Sequence, residues 1–428
     1  MLGTVFIVFA IALALTVPIG FTMGVVSMVP QFMNPAFPAK VEFLVRQMVG
    51  GVDSTPFLAV PLFVLSGIIM ARGGVSDKLF NMFSYFAGDK RAGLPCAVVV
   101  TCLFYGAISG SGPATVAAIG AMSIPLLTSV GYDRTFVTAL VAVAGGLGVI
   151  IPPSIPFILY GLSSGESVGK MFIAGVVPGL LIGFCLMAYS WVYCLKHGED
   201  KKKLGDYCNS IRKNGLWSVF KTSFWALMTP VIILGGIYGG VTTPTEAACV
   251  SVVYSLIVCL FIYKTMKFKD VVDAFREGVI TYAPITFILA GAMAFGRVLT
   301  LMQAPQAIAT AIMGLVSSKV GILIVINIFL LGVGMVLDTS PAILILTPIL
   351  LPLVKQVGVD PIQFGIIMVV NLAVGFVTPP MGVNLFVASS LTGISVVKIA
   401  RQAVPFIIAF LISLILITYI PAISLCLL

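Results

Sequence analysis

Charge is scarce in this sequence. Asp, Glu, Lys and Arg make up 9% of its 428 residues, hydrophobic residues 60%, and the mean hydropathy is +1.16. A soluble chain would carry about 25% charged residues, so a water-soluble globular protein is excluded. Histidine is rarer still: the single copy, His197, stands in a charged stretch, where an imidazole reads as solvated rather than catalytic. The eight cysteines, at 96, 102, 185, 194, 208, 249, 259 and 426, contain no C-x-x-C pair and fall mostly in apolar runs. A thiol there behaves as a small hydrophobe, and neither a disulfide framework nor a zinc site follows. No Walker A lysine motif, G-x-G-x-x-G or H-E-x-x-H occurs, so an ATP-driven pump or a zinc protease lacks its chemistry. The chain is not expected to be an enzyme.

What is abundant is long apolar sequence. Runs of 18 or more apolar residues recur from end to end and mark an all-α polytopic membrane protein. The opening MLGTVFIVFAIALALTVPIGF has no Lys or Arg before its apolar run and reads as a first membrane helix rather than a leader. The net charge of +9 lies mostly in short connections, and segment 196–221 holds seven Lys or Arg against three acids. That is the signature of inside-facing loops, not of a nucleic-acid surface.

The two halves echo each other. GAISGSGPAT (106–115) and GGLGVIIPPSIP (145–156) are matched by LDTSPA (337–342) and GFVTPPMGVN (375–384). Pro113 lies 39 residues before Pro152, and Pro341 lies 38 before Pro379. This predicts two inverted-topology repeats, each with a re-entrant helical hairpin and a broken helix. The first repeat, 1–195, has scaffold helices in 1–71, a connector at 75–88, a hairpin at 93–128 and a broken helix at 133–164. A basic cytoplasmic loop, 196–222, follows. The second repeat, 223–428, has scaffold helices in 223–299, a connector at 301–318, a hairpin at 320–355 and a broken helix at 361–392. Within these, single spans are expected near 18–35, 281–299 and 402–427. Five spans plus a hairpin per half force the halves into opposite orientation, with the basic loop inside and both termini outside.

The breaks carry the chemistry. A gap in a helix within lipid strands backbone groups at several kcal/mol each unless protein or a polar cavity meets them. Pro-Pro pairs free the neighbouring carbonyls, and Ser109, Ser111, Thr339, Ser340 and Thr378 add hydroxyls beside them. Such oxygens suit a hard monovalent cation such as Na⁺, while half-helix N-termini suit a carboxylate. Asp338, the one acid deep in a hairpin, reads equally as an ion-site residue and as a helix N-cap. A further motif, GGIYGGVTTPTEAA (235–248), reads as a scaffold joint. It holds two G-x-x-x-G pairs fit for close helix contact and an N-cap near Glu246.

Together these motifs resemble the large membrane subunit of tripartite ATP-independent periplasmic (TRAP) transporters, members of a wider superfamily of ion-coupled elevator transporters. The resemblance covers essentially the whole chain. It implies Na⁺-driven secondary uptake across a bacterial inner membrane, with two or more coupling ions. The substrate would be an organic acid such as sialic acid or a C4-dicarboxylate, delivered by a soluble periplasmic binding protein. A small four-helix membrane subunit, expected as a separate polypeptide, would complete the permease. By position, Ser109, Gly110, Ser111, Gly112, Gly148 and Pro152 would build a first Na⁺ site. Asp338, Thr339, Ser340, Gly375, Thr378, Pro379 and Gly382 would build a second, and Ser154 and Asn384 would contact substrate. The alternative is a carrier of the wider superfamily that needs no binding protein and couples to Na⁺ or H⁺.

Overall fold

The chain folds as a succession of helices with few residues between them, seen in a computed structural model that describes residues 1–213, 215–316 and 318–428. The first stretch comprises α1 (Leu2–Ala14), α2 (Ile19–Val26), α3 (Val29–Met33), α4 (Val41–Val52) and α5 (Ala59–Arg72). Then come α6 (Val75–Ala87), α7 (Gly93–Ser109), α8 (Gly112–Ser129), α9 (Arg134–Ala144), α10 (Ile155–Ser164) and α11 (Val168–His197). Beyond them lie α12 (Lys201–Arg212), α13 (Leu216–Tyr238), α14 (Pro244–Ile257), α15 (Phe268–Leu301) and α16 (Ala304–Leu315). The chain ends with α17 (Lys319–Gly334), α18 (Thr339–Gln356), α19 (Pro361–Gly375), α20 (Val383–Thr392), α21 (Val396–Tyr419) and α22 (Pro421–Leu425). Among the described residues there is no strand, and eight helices are long and apolar enough to cross a bilayer.

Burial sorts the helices. α9 is buried on every side from Phe136 to Ala144, and α19 from Ile362 to Gly375. A helix apolar all round belongs in an interior. One apolar window of α18 is 78% buried, against 33% in α13 and 39% in α15, so the last two leave most of that surface exposed. α7, α8, α17 and α18 pack around α9 and α19, and α10 and α20 cross over to α18 and α8 respectively. On the other side, α5 packs against α14 and α15, while α2 and α4 pack against α15. The α5–α14 contact is polar at its centre: Ser66 Oγ meets the Ser251 hydroxyl and lies 2.8 Å from Ser255 Oγ. Small hydroxyl residues let two helices approach closely in lipid and still satisfy their own polar atoms.

Several boundaries differ from the sequence expectation, each for a visible reason. Residues 41–52 form α4, whose Leu44 turns inward while Glu42 and Arg46 pair on its outer face at 2.7 Å. The basic segment 196–222 is not a plain loop. Asp200 caps α12, which buries Leu204, Cys208 and Ile211 on one face, and Arg212 holds Asp89 at 3.0 Å. α15 starts at Phe268 rather than near 281; its first turns carry Lys269, Asp270, Asp273, Arg276 and Glu277, which reach water while the helix continues. Pro30 sits where the second helix bends into α3, and Pro421 separates α21 from α22. Asn214 in the basic segment and Ser317 in the 301–318 connector lie outside the described residues.

The 235–248 joint departs in part. A Cβ on Gly235 would meet nothing within 4 Å, so this pair does not bring helices of this chain together. The turn is closed instead by Gly240 at φ +68° and by Thr243, whose side chain and backbone exchange hydrogen bonds with Glu246 in a full capping box. Thr245 Oγ1 then donates to Thr55 O at 3.1 Å, tying the joint to the start of the α5 segment.

Candidate functional site: two hairpin tips around a cavity

α7 and α8 form one hairpin. Its tip turns on Gly110 at φ +60°, a conformation that L side chains avoid; Ser111 then enters α8 extended, with Pro113 in the first turn. Ser109 Oγ lies 3.0 Å from Thr115 Oγ1, and Thr115 Oγ1 donates to Ser111 O at 2.8 Å. Beside these oxygens α9 loosens into a 3-10 turn at Gly145–Val149 before α10 restarts. The approach is close because it is glycine on glycine: a Cβ on Gly106 would stand 2.8 Å from Gly148 Cα.

α17 and α18 form the second hairpin on the same plan. Gly334 faces Gly375, and a Cβ on Gly334 would lie 3.3 Å from Gly375 Cα. Asp338 caps α18, its Oδ1 accepting the Thr339 N–H at 2.7 Å. It occupies the place that Ser111 holds before α8, so the single acid of the tips stands where the other hairpin has a hydroxyl. Break and tip are also joined directly, since Met381 N–H donates to Met335 O at 3.2 Å.

A cavity of about 770 Å³ separates the tips from α5 and α15. Ser109, Gly110 and Ser111 line it from one hairpin, and Asp338, Thr339 and Ser340 from the other. Gly67 and Arg72 of α5 and Glu277, Thr281 and Pro284 of α15 form the facing wall. The wall touches the first tip at Gly67, where a Cβ would lie 3.0 Å from Ser109 Cα. Asp338 opens into this space, while Thr339 and Ser340 beside it are largely buried.

The remaining candidates fall outside the lining. Gly112 packs behind the tip, where a Cβ would meet Asn384 Oδ1 at 3.4 Å, and Gly148 and Gly375 serve as the close approaches. Pro152 is buried within its break, whereas Pro379 is exposed away from the cavity. Thr378 donates its hydroxyl to Val374 O at 2.8 Å, and Gly382, at φ +46°, starts α20. Ser154 does not reach the cavity: its buried hydroxyl donates to Val149 O at 2.5 Å and accepts from Phe157 N–H at 3.4 Å. Asn384 is different. Its Nδ2 donates to Ala142 O at 3.0 Å, and its buried Oδ1 has no partner among the described residues.

Among the described residues no group of three or more His, Cys, Asp or Glu side chains is placed to hold a metal. The oxygens gathered at the tips are hydroxyls, carbonyls and one carboxylate, a donor set that fits Na⁺ better than a transition metal. Thr115 was missed in the sequence, although it closes the GSGPAT motif one turn past Ser111. Thr115→Val is expected to lower the stability of the purified protein by about 1 kcal/mol, because Ser111 O loses its donor; Thr115→Ser should retain it. Thermal unfolding checks this, and an unchanged unfolding temperature in the valine variant would show that the Thr115 hydroxyl does not hold the tip.

Broken helices and paired hairpin tips that face one cavity give the fold of a known class of helical membrane proteins. Two solved transporters share the fold: Neisseria gonorrhoeae MtrF, with a TM-score of 0.66 and 13% identity over 94% of each chain, and Alcanivorax borkumensis YdaH, with 0.61 and 13% over 88% of each. More specifically, the chain belongs to the DctM component of the tripartite ATP-independent periplasmic transporters, whose family model matches residues 6–423. An isethionate TRAP transporter permease protein of Oleidesulfovibrio alaskensis is 43% identical over 97% of this chain, which spans 64% of that longer protein. The C4-dicarboxylate large permease protein DctM of Pseudomonas aeruginosa is 43% identical over 91% of this chain and 90% of its own. The 2,3-diketo-L-gulonate large permease protein of Escherichia coli is 35% identical over 89% of this chain and 88% of its own. The protein is thus a multi-pass large permease of the bacterial inner membrane, in a family whose transport systems are tripartite.

Proposed function

We propose that this chain carries a small organic acid inward by coupling it to Na⁺, in an elevator motion of the two hairpins against a scaffold. The observation that supports this most is the convergence of two hairpin tips from separate halves of the chain on one cavity. The Ser109, Ser111 and Thr115 oxygens beside Gly148 would hold one ion, and Asp338, Thr339 and Ser340 the other. Substrate carboxylate would meet the N–H groups at the start of α8, with Asn384 behind that turn. The moving unit would comprise α7–α11 and α17–α21, joined through α6 and α16 to a scaffold of α1–α5 and α13–α15. The cavity runs toward Arg72 and Glu277, next to the Lys264–Lys269 stretch, and by the positive-inside rule would face the cytoplasm.

A small membrane subunit and a periplasmic binding protein would complete the system. Names of relatives make a C4-dicarboxylate or isethionate the first acids to try, with sialic acid as comparator. Proteoliposomes holding this chain and its small subunit should accumulate labelled succinate or isethionate only with an inward Na⁺ gradient and the binding protein present. Accumulation without the binding protein, or with a proton gradient alone, would transfer the chain to the self-sufficient carriers.

A further inference from the structure

The wall opposite the hairpins holds a charge pair that the ion sites do not use. Arg72 ends α5, and Glu277 lies on α15; Nε and Nη2 of Arg72 reach the same oxygen, Glu277 Oε2, at 3.1 and 2.7 Å. Four charged residues line the cavity: Asp77, Glu277, Asp338 and Arg72. Among the described residues that line it Arg72 is the one base, with Lys78 behind the wall, its Nζ 3.5 Å from Gly74 O. An anion released at the tips therefore enters a space whose other fixed charges repel it, with a single guanidinium to receive it.

Position fits that role. Gly67 abuts the tip at Ser109, and Arg72 is five residues further along α5, about 7.5 Å at 1.5 Å per residue. The displacement runs toward the basic end of the molecule, where Thr265 Oγ1 bonds Gly73 O at 3.1 Å and Lys78 lies over the Tyr263 ring. The guanidinium fork matches a carboxylate or sulfonate as well as it matches Glu277. Side-chain exposures of 36% for Arg72 and 50% for Glu277 leave the pair open to the cavity, and an exposed ion pair contributes little and exchanges readily.

We propose that Arg72 is a second anion-binding station between the hairpin tips and the mouth of the cavity, with Glu277 as its resident counter-ion. A departing carboxylate or sulfonate displaces Glu277 from the guanidinium, and the return of Glu277 expels it. The resident acid keeps the station weak, which a release step requires. This assignment rests on the organic-acid reading above.

The test uses the full chain with its small subunit, and two readouts. Succinate and isethionate are titrated against thermal unfolding of the purified complex, and succinate uptake is measured in proteoliposomes, for wild type, Arg72→Gln, Glu277→Gln and the double variant. Glu277→Gln should lower the half-saturating succinate concentration by about two- to fivefold, the range that an exposed ion pair supports, and should slow uptake by retarding release. Arg72→Gln should raise that concentration by a similar factor, and the double variant should follow Arg72→Gln. If the pair merely staples α5 to α15, both single variants will lose the same thermal stability and leave the anion titration unmoved, which overturns the proposal. Should wild type take up neither acid, the proposed function fails, yet the anion titration still decides the role of Arg72.

Discussion

Under the proposed Na⁺ coupling, Asp338→Asn is expected to cut uptake by roughly tenfold to a hundredfold, the range set by losing an interaction with a charged group, while leaving the fold intact. The two roles of this residue separate cleanly in that variant. Asn is as good an N-cap as Asp, so the bond now made to the Thr339 N–H at 2.7 Å can persist without the charge. Asp338→Ala removes both, and should add a stability loss of about 1 kcal/mol typical of a missing cap. Uptake rates and thermal unfolding of the same preparations check the pair. If Asp338→Asn transports at the wild-type rate with unchanged Na⁺ dependence, the carboxylate is a cap and nothing more.

The glycine crossings should give the other large effect. Gly148→Val and Gly375→Val each force a branched side chain into a space filled by backbone or a threonine hydroxyl, and overpacking of this kind costs about 1–3 kcal/mol or more. The helix break would be pushed off its hairpin, and the oxygens of that tip would lose their common centre. Uptake is expected to fall below detection in both variants, with a lowered unfolding temperature. Gly235→Ala is the matched control, because its Cβ meets open space; it should retain full stability and gain up to about 1 kcal/mol from helix propensity. Wild-type uptake in Gly375→Val would show that the close approach of Gly334 and Gly375 does not set the site.

How much of this was legible in the sequence depends on how local the signal was. Both tips stood out, because Gly110, Pro113 and Pro341 interrupt apolar runs that otherwise demand helix. α12 and the first third of α15 were hidden: Lys201, Lys202 and Lys203, and the charges from Lys269 to Glu277, read as loop until a packed face is seen. Ser154 looked free because it follows a Pro-Pro pair, but nothing in the order of residues shows its hydroxyl turning back to Val149 O. Gly235 and Gly239 matched a packing motif by spacing alone, and a Cβ on Gly235 meets nothing within 4 Å among the described residues. Arg72 and Glu277 are 205 residues apart, and a pair so separated has no sequence signature; only the convergence of α5 and α15 brings it to the cavity.

Movement of the hairpin unit past the scaffold is the claim on which the account turns, and a reversible crosslink tests it most directly. Gly169 stands in the first turn of α11 on the side proposed to move, and a Cβ there would lie 3.7 Å from Ile237 Cγ2 on α13, so the two positions are in side-chain contact. Gly169→Cys/Ile237→Cys, built in a background lacking the eight native cysteines, would join the two units at residues that line neither tip. Oxidation is expected to abolish uptake, and reduction to restore it. Uptake at full rate with the crosslink closed would contradict the movement.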